Sequence, residues 1–225
     1  VYGLSVLSSL MQTGNIKKAI LLAGDARKQA KEELDQLFGY ACTATALEYS
    51  KEAKPFYFDL GTDGTGYDAI IRPGGGCRNQ FNEDSLKLEL CEDGRKRHAI
   101  QTRMKGMDVF AFGITTAPKS IKKLTANYEM DYTSFDYVIL HQANYKMTET
   151  IRKKLKLDAE KMPYSMLHFG NTSSASIPLT IVTQLKGKIE DKPTKIIGCA
   201  FGVGLSWGTV AFETEHLLIS ELVEV

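Results

Sequence analysis

Two apolar patterns run through this chain. In some stretches the apolar residues recur every three to four positions, as they do along one face of a helix. In others, four to six follow one another, as in a strand covered on both sides. The helical spacing predicts a helix over residues 1–12, with Leu4, Leu7, Leu10 and Met11 on one face and Gly14-Asn15 as its stop. A second is predicted from residue 101, striped by Met107, Phe110, Ile114, Ile121 and Leu124, with a bend or break before Pro118. A third covers 146–157, with Met147, Ile151 and Leu155 inward and basic residues outward. A fourth covers 173–185 and is kinked, or starts, near Pro178. Strands are predicted at 18–23, 40–49, 56–60, 137–140, 164–167, 195–200 and 209–213, with 18–23 buried and the last two forming an antiparallel hairpin. The charged stretch 26–38 reads as helix or loop. Gly74-Gly75-Gly76 lacks the lysine and the following helix of a phosphate-binding loop, so 72–82 reads as a surface loop. Strands alternating with helices indicate α/β architecture.

Composition narrows the function classes. A chain of 225 residues holds one large domain or two small ones. Its net charge of +1 gives no global field for nucleic acid or an anionic membrane, and no apolar run reaches the roughly 18 residues that would span a bilayer. The four cysteines, Cys42, Cys77, Cys91 and Cys199, are spaced for neither a zinc site nor a disulfide scaffold. A reducing compartment, hence a cytoplasmic location, is expected. His98, His168 and His216 lack metal-ligand spacing, and Asp63 and Asp68 flank glycines as turn carboxylates do, so no metal is expected. The first residue is Val1, and residues 1–11 lack the basic leader and cleavage site of a signal peptide. A chain that starts inside a helical pattern reads as truncated.

The sharpest candidate chemistry is at 137–144. An apolar strand runs directly into His141-Gln142-Ala143-Asn144, and in open α/β sheets ligands sit beyond the carboxyl ends of strands. Taken alone, His141 could simply close a strand. Asn171, in the polar turn Gly170-Asn171-Thr172-Ser173, could be a helix cap, although Thr172, Ser173 and Ser174 could each cap instead. Gly202-Val203-Gly204 could be a plain hairpin turn, or it could aim a backbone N–H at a developing oxyanion.

Three segments, His141-Gln142-Ala143-Asn144, Gly170-Asn171-Thr172-Ser173-Ser174-Ala175-Ser176-Ile177-Pro178 and Phe201-Gly202-Val203-Gly204-Leu205-Ser206-Trp207-Gly208, together resemble the β-ketoacyl-(acyl-carrier-protein) synthase III family in order and spacing. Met104-Lys105-Gly106-Met107-Asp108-Val109-Phe110 adds to the likeness, while residues 1–60 match more loosely. The resemblance implies a thiolase-like α/β fold, layered α-β-α-β-α, with its first half truncated. Residues 1–52 would be the remainder of the N-terminal half and 53–225 the C-terminal half. It implies decarboxylative Claisen condensation of an acyl-CoA primer with malonyl-acyl-carrier protein, no metal or cofactor beyond these thioester substrates, and a homodimer. His141 and Asn171 fall on the catalytic histidine and asparagine, and Val203 on the backbone oxyanion donor. Gly106, Phe110, Ala143 and Asn144 fall on substrate-binding positions and Lys146 on the carrier-docking position, there an arginine. The family's nucleophilic cysteine would lie a few residues before Val1, and none of the four cysteines present replaces it. The chain is therefore expected to be the carboxyl-terminal two-thirds of a synthase and to be inactive alone. Two departures bear on coenzyme A binding. Phe38-Gly39-Tyr40-Ala41-Cys42-Thr43 replaces a glycine-rich Phe-Gly-Asp-Gly-Ala-Gly stretch, and residues 32–36 are acidic where the family is basic. They leave room for a different thiolase-fold acyltransferase of polyketide-like or secondary-metabolite pathways, or a non-catalytic partner subunit. The intact His141 and Asn171 count against the last.

Overall fold

The central sheet takes its order from the apolar strands near the C-terminus. The computed structural model describes residues 1–25 and 37–224. In chain order the elements are α1 (Tyr2–Gln12), β1 (Lys18–Gly24), β2 (Cys42–Glu48), β3 (Tyr57–Thr62), four two-residue strands β4 to β7 (Ile70–Ile71, Glu89–Leu90, Lys96–Arg97, Arg103–Met104), and α2 (Gly106–Asn127). Then follow β8 (Tyr137–Leu140), α3 (Tyr145–Leu155), α4 (Met166–Phe169), α5 (Ser176–Thr180), β9 (Thr194–Gly202) and β10 (Ser206–Thr214). The main sheet has the order β3-β10-β9-β8. β9 pairs with β8 in parallel, and the β9–β10 hairpin and the β10–β3 pair are antiparallel.

Alternation along β8 and β9 splits the core in two. Val138, Leu140, Ile197, Cys199 and Phe201 face one side and pack with Ala117, Ile121 and Leu124 of α2 and Met147, Ile151 and Leu155 of α3. Ile139 and Ile196 face the other side and meet Leu185, Ile189 and Ile219. On that second side α5 touches β8 and β9, and it also touches β2 of the separate β1–β2 ribbon. α1 lies in the same middle layer. A side chain at Gly3 would meet Leu21 of β1, and one at Gly208 of β10 would meet Val1. The described residues thus stack helix, sheet, helix, sheet.

Several expectations change. β1 was expected to be buried on both faces, yet Ile20 and Leu22 are 66% and 75% exposed. Only its Ala19, Leu21 and Ala23 side faces the middle layer, and nothing among the described residues covers the other. Leu10 and Met107 lie outside the stripes assigned to them, at 46% and 80% exposed, Met107 in the first turn of α2 and Leu10 in the last turn of α1. No break occurs at Pro118, which lies inside an unbroken α2. Proline cannot donate to the carbonyl of Ile114 four residues back, and Lys154 Nζ from α3 takes that carbonyl at 3.0 Å. Residues 164–167, expected as a strand, lead into the short helix α4. The fourth helix is composite: a 3-10 turn at Ser173–Ala175, then α5, then a π-turn at Ile181–Leu185. Residues 72–82 form a loop, as expected. The charged stretch 26–36, including the acidic 32–36, lies outside the described residues. Among the described residues no helix is long and apolar enough to cross a membrane.

Candidate active site

β8 ends by delivering His141. Its backbone N–H continues the parallel ladder onto Cys199 O at 2.8 Å, which fixes where the side chain leaves the sheet. The imidazole stands edge-on to Phe201, 5.7 Å between ring centroids, and Phe201 in turn packs edge-on against Phe112. Gly113 makes this close packing possible, because a methyl there would fall 2.6 Å from Met147 Sδ and 2.8 Å from the Phe201 ring. Exclusion of water by these surroundings pulls the His141 pKa from 6.5 down to about 4, opposed by a hydrogen bond with the Ser173 backbone. At neutral pH the ring is uncharged. Nδ1 lies 3.1 Å from Ser176 Oγ, which also donates to Ser173 O at 2.8 Å.

Asn171 enters from the second polar turn. Its Oδ1 accepts from Ser173 N at 3.0 Å. The oxygen is thereby pinned, and Nδ2 is the end of the carboxamide left to donate. The same residue Ser173 therefore touches Asn171 through its N–H and Ser176, the partner of His141, through its carbonyl. Asn171 is also tied by backbone to a segment far away in sequence: Asn171 N donates to Leu37 O at 2.8 Å and Gly39 N donates to Asn171 O at 3.1 Å. That approach is too close for side chains. A Cβ at Gly39 would lie 1.8 Å from Phe169 O, and Gly170 has φ +62° with Leu37 O 2.8 Å from where its Cβ would be.

Gln142 braces the two loops from behind. It is fully buried. Nε2 donates to Leu140 O at 2.8 Å, and Oε1 accepts from Ser165 N at 3.1 Å and Met166 N at 3.2 Å. Ser165 Oγ meets Thr180 Oγ1 at 2.8 Å, and Thr180 Oγ1 donates to Ser176 O at 2.8 Å. A hydrogen-bonded path with no gap thus runs from the end of β8 through α4 and α5 to the residue under His141.

The other expected site residues fall as follows. Val203 tips the β9–β10 turn, 63% exposed, with its carbonyl accepting from Ser206 Oγ at 2.7 Å. That turn is clamped to the loop after β3 by paired Asp63–Leu205 backbone bonds of 2.8 and 2.9 Å. Asn144 caps α3, its Oδ1 accepting from Met147 N at 2.9 Å, so only its Nδ2 remains to meet a ligand. Ala143 N donates to His141 O at 2.9 Å, which turns the chain into that cap. Gly106 opens α2, and a side chain there would meet nothing within 4 Å. Lys146 Nζ lies 5.9 Å from the centre of the Phe110 ring, which joins those two positions in one cation–π contact. Sequence patterns did not single out Gln142, Ser176 or Gly39. Only the adjacency of Gln142 and Ser176 to His141 and Asn171 hinted at them. The buried Cys199 thiol is pushed up to about 12 by loss of water, which suits packing and not nucleophilic chemistry. Among the described residues no group of three or more His, Cys, Asp or Glu could hold a metal ion.

The α1 N-terminus closes the picture. Val1 lies against β10, where a side chain at Gly208 would come 3.0 Å from Val1 Cγ1, and on the neighbouring strand β9 the Cys199 carbonyl accepts from His141 N.

Known proteins resemble this chain along most of its length. Residues 125–214 match the family described as 3-oxoacyl-[acyl-carrier-protein (ACP)] synthase III C terminal. A beta-ketoacyl-[acyl-carrier-protein] synthase III of Clostridium tetani is 30% identical over 215 residues, 92% of this chain and 62% of that protein. Its counterpart in Clostridium acetobutylicum is 29% identical, over 95% of this chain and 64% of that one. The crystal structure of a 3-oxoacyl-(acyl-carrier protein) synthase from Burkholderia xenovorans LB400 superposes with a TM-score of 0.85 at 32% identity, covering all of this chain and 64% of that one. The chain thus spans a little under two thirds of the length of the proteins it matches. The thiolase-type α/β fold expected from the motifs stands.

Proposed function

We propose that this chain, which is similar to 3-oxoacyl-[acyl-carrier-protein] synthase III proteins, belongs with them and supplies the decarboxylation half of a condensing enzyme that starts acyl-chain synthesis. In this reading a malonyl thioester places its carbonyl oxygen between His141 Nε2 and Asn171 Nδ2. The bond from the α-carbon to the carboxylate breaks, carbon dioxide leaves, and the electron pair moves onto that oxygen as an enolate. Two neutral donors stabilise the charge without handing a proton to the carbon. The carbanion then attacks an acyl group held as a thioester, and the thiolate leaves. The observation that carries this reading is the pinned Asn171 carboxamide, Oδ1 on Ser173 N, beside an uncharged His141.

The acyl-carrying cysteine is proposed to lie just before Val1. A thiol at the N-terminus of α1 would have its pKa lowered by the helix and would lie near Val1, on the face of β10 that carries Gly208. The backbone N–H of Val203 is proposed as the oxyanion donor for the acyl thioester. Gly106, Phe110, Ala143 and Asn144 are proposed to line the substrate path, with Lys146 meeting an acidic carrier. Acyl-CoA and malonyl-acyl-carrier protein as substrates, a homodimer, a cytoplasmic location and a division into halves near residue 52 belong to the same reading. So does inactivity of the 225-residue chain alone. The test is a condensation assay with acyl-CoA and malonyl-acyl-carrier protein on the full-length protein. Product from the wild type and none from Asn171→Ala supports the reading. Equal product from both removes it.

A further inference from the structure

We propose that the excursion between β3 and α2 carries a second binding site, a polar cleft that takes a small phosphate monoester. The proposal does not depend on the function proposed above, and none of the residues that line the cleft belongs to the candidate active site. The cleft has a volume of about 640 Å³ and lies between the glycine loop 73–80, the capped 3-10 turn Glu83–Leu86, β5 and the start of β7.

Charge selects the ligand. Residues 72–105 hold eight Lys and Arg against five Asp and Glu, so this excursion is more positive than the whole chain, which carries +1. Two guanidiniums line the cleft, those of Arg78 and Arg103. Arg103 gives Nη2 to Glu89 Oε2 at 2.8 Å, which neutralises that carboxylate and fixes the fork. Its Nε is shut off from solvent and has no acceptor. An enclosed cationic donor in that state is stabilised by further negative charge nearby. The other carboxylate of the cleft, Asp84, is held by Lys87 Nζ at 2.6 Å. Arg78 makes no ion pair or hydrogen bond among the described residues, so its charge is the one left uncompensated.

The walls supply neutral donors. Gly75 has φ +86°, and its turn is locked by Gly74 N on Ala99 O at 2.8 Å and Gly75 N on Asn79 O at 3.0 Å. The backbone N–H groups of Cys77 and Arg78, which follow, hold no hydrogen bond among the described residues. Successive free N–H groups in a turn are a recurrent anion-binding form. Asn82 Oδ1 is used by the turn it caps, accepting from Ser85 N at 3.0 Å, so Nδ2 is the end left to donate. Guanidinium forks with several neutral donors match a phosphate dianion, which accepts through more than two oxygens. No large apolar side chain lines the cleft, so the body attached to the phosphate is polar, as a sugar is, and not an acyl chain.

The test is titration of ¹⁵N-labelled full-length protein with ribose 5-phosphate, inorganic phosphate and ribose, read from backbone amide and arginine side-chain shifts. Ribose 5-phosphate reads the monoester with its polar body, and inorganic phosphate reads the anion alone. Ribose 5-phosphate is expected to move the signals of residues 77–82 and 103 with a Kd of about 1 mM, inorganic phosphate to move them more weakly, and ribose to leave them in place. Arg78→Gln changes an exposed loop residue and should weaken ribose 5-phosphate at least about tenfold. Arg78→Lys should recover only part of the loss, because lysine keeps the charge without the fork. Cleft signals that stay in place at roughly 50 mM ribose 5-phosphate, or an affinity unchanged in Arg78→Gln, overturn the proposal. So does ribose that moves the same signals as strongly, because the phosphate would then not be what the cleft recognises.

Discussion

Replacing Gln142 by leucine should cost stability out of proportion to the change in shape. The two side chains are of similar size, so no large cavity opens. What changes is that Leu140 C=O and Ser165 N–H, both enclosed, lose their partners, and Met166 N–H at the margin loses its own. A buried polar group left unpaired costs about 1–3 kcal/mol, so the three sum to at least about 3 kcal/mol. Burying leucine in place of an amide offsets part of this, by about 1–2 kcal/mol on the area scale. The net is at least about 1–2 kcal/mol, a sizeable share of the roughly 5–15 kcal/mol that holds a domain together. At about 2–4 °C per kcal/mol for a protein of this size, Tm should fall by at least about 2 °C. Calorimetry on wild type, Gln142→Leu and Gln142→Glu is the assay. The glutamate keeps the acceptors but loses the donor to Leu140 O and buries a charge, so it should be no more stable than the leucine. A Gln142→Leu melting point within about 1 °C of wild type would refute the reasoning, because the carboxamide would then not be bracing the loops.

Two further outcomes follow from the same geometry. Gly39→Ala places a methyl 1.8 Å from Phe169 O, which forces apart the backbone pairing that holds Asn171. Condensing activity of the full-length protein should drop at least about tenfold, with the far-ultraviolet circular dichroism spectrum unchanged; full activity in the variant would contradict the pairing. His141, with its pKa at about 4 in the folded chain and 6.5 as reference, gives a pH dependence of definite sign. The unfolded chain binds more protons in this window, so the contribution of the neutral ring is fully present above pH 6.5. It is lost as pH falls from 6.5 through 4, by at most about 3 kcal/mol. Denaturant unfolding of wild type and His141→Gln between pH 7 and 4 should converge by that amount. A ring that titrates near 6.5 by NMR would contradict it.

Much of the fold was legible because its pattern is local. The stripes of α2 and α3 and the apolar runs of β8 and β9 carry their own period, and each found the partner its buried face required. The failures come from contacts made across the chain. Residues 164–167 have strand-like composition, but the Gln142 carboxamide takes the N–H groups of Ser165 and Met166 and starts a helix there. Pro118 should interrupt a helix, but Lys154 satisfies the carbonyl it orphans. β1 has the sequence of a doubly covered strand and is covered on one side among the described residues. At the candidate site, His141 and Asn171 stood out through their motifs. The residues that orient them, Ser176 and Gln142, and the glycine that lets Phe38-Gly39 dock beside Asn171, look like ordinary polar and turn residues until the loops are in place.

The most direct measurement is release of labelled carbon dioxide from malonyl-acyl-carrier protein by the full-length protein, set beside the rate at which an acyl-CoA acylates the same enzyme. For His141→Ala and Asn171→Ala, carbon dioxide release is expected to fall by about 10²–10³-fold each, while acylation changes far less. Carbon dioxide release at the wild-type rate in both variants would contradict the assignment of His141 and Asn171 as the donors that carry the decarboxylation.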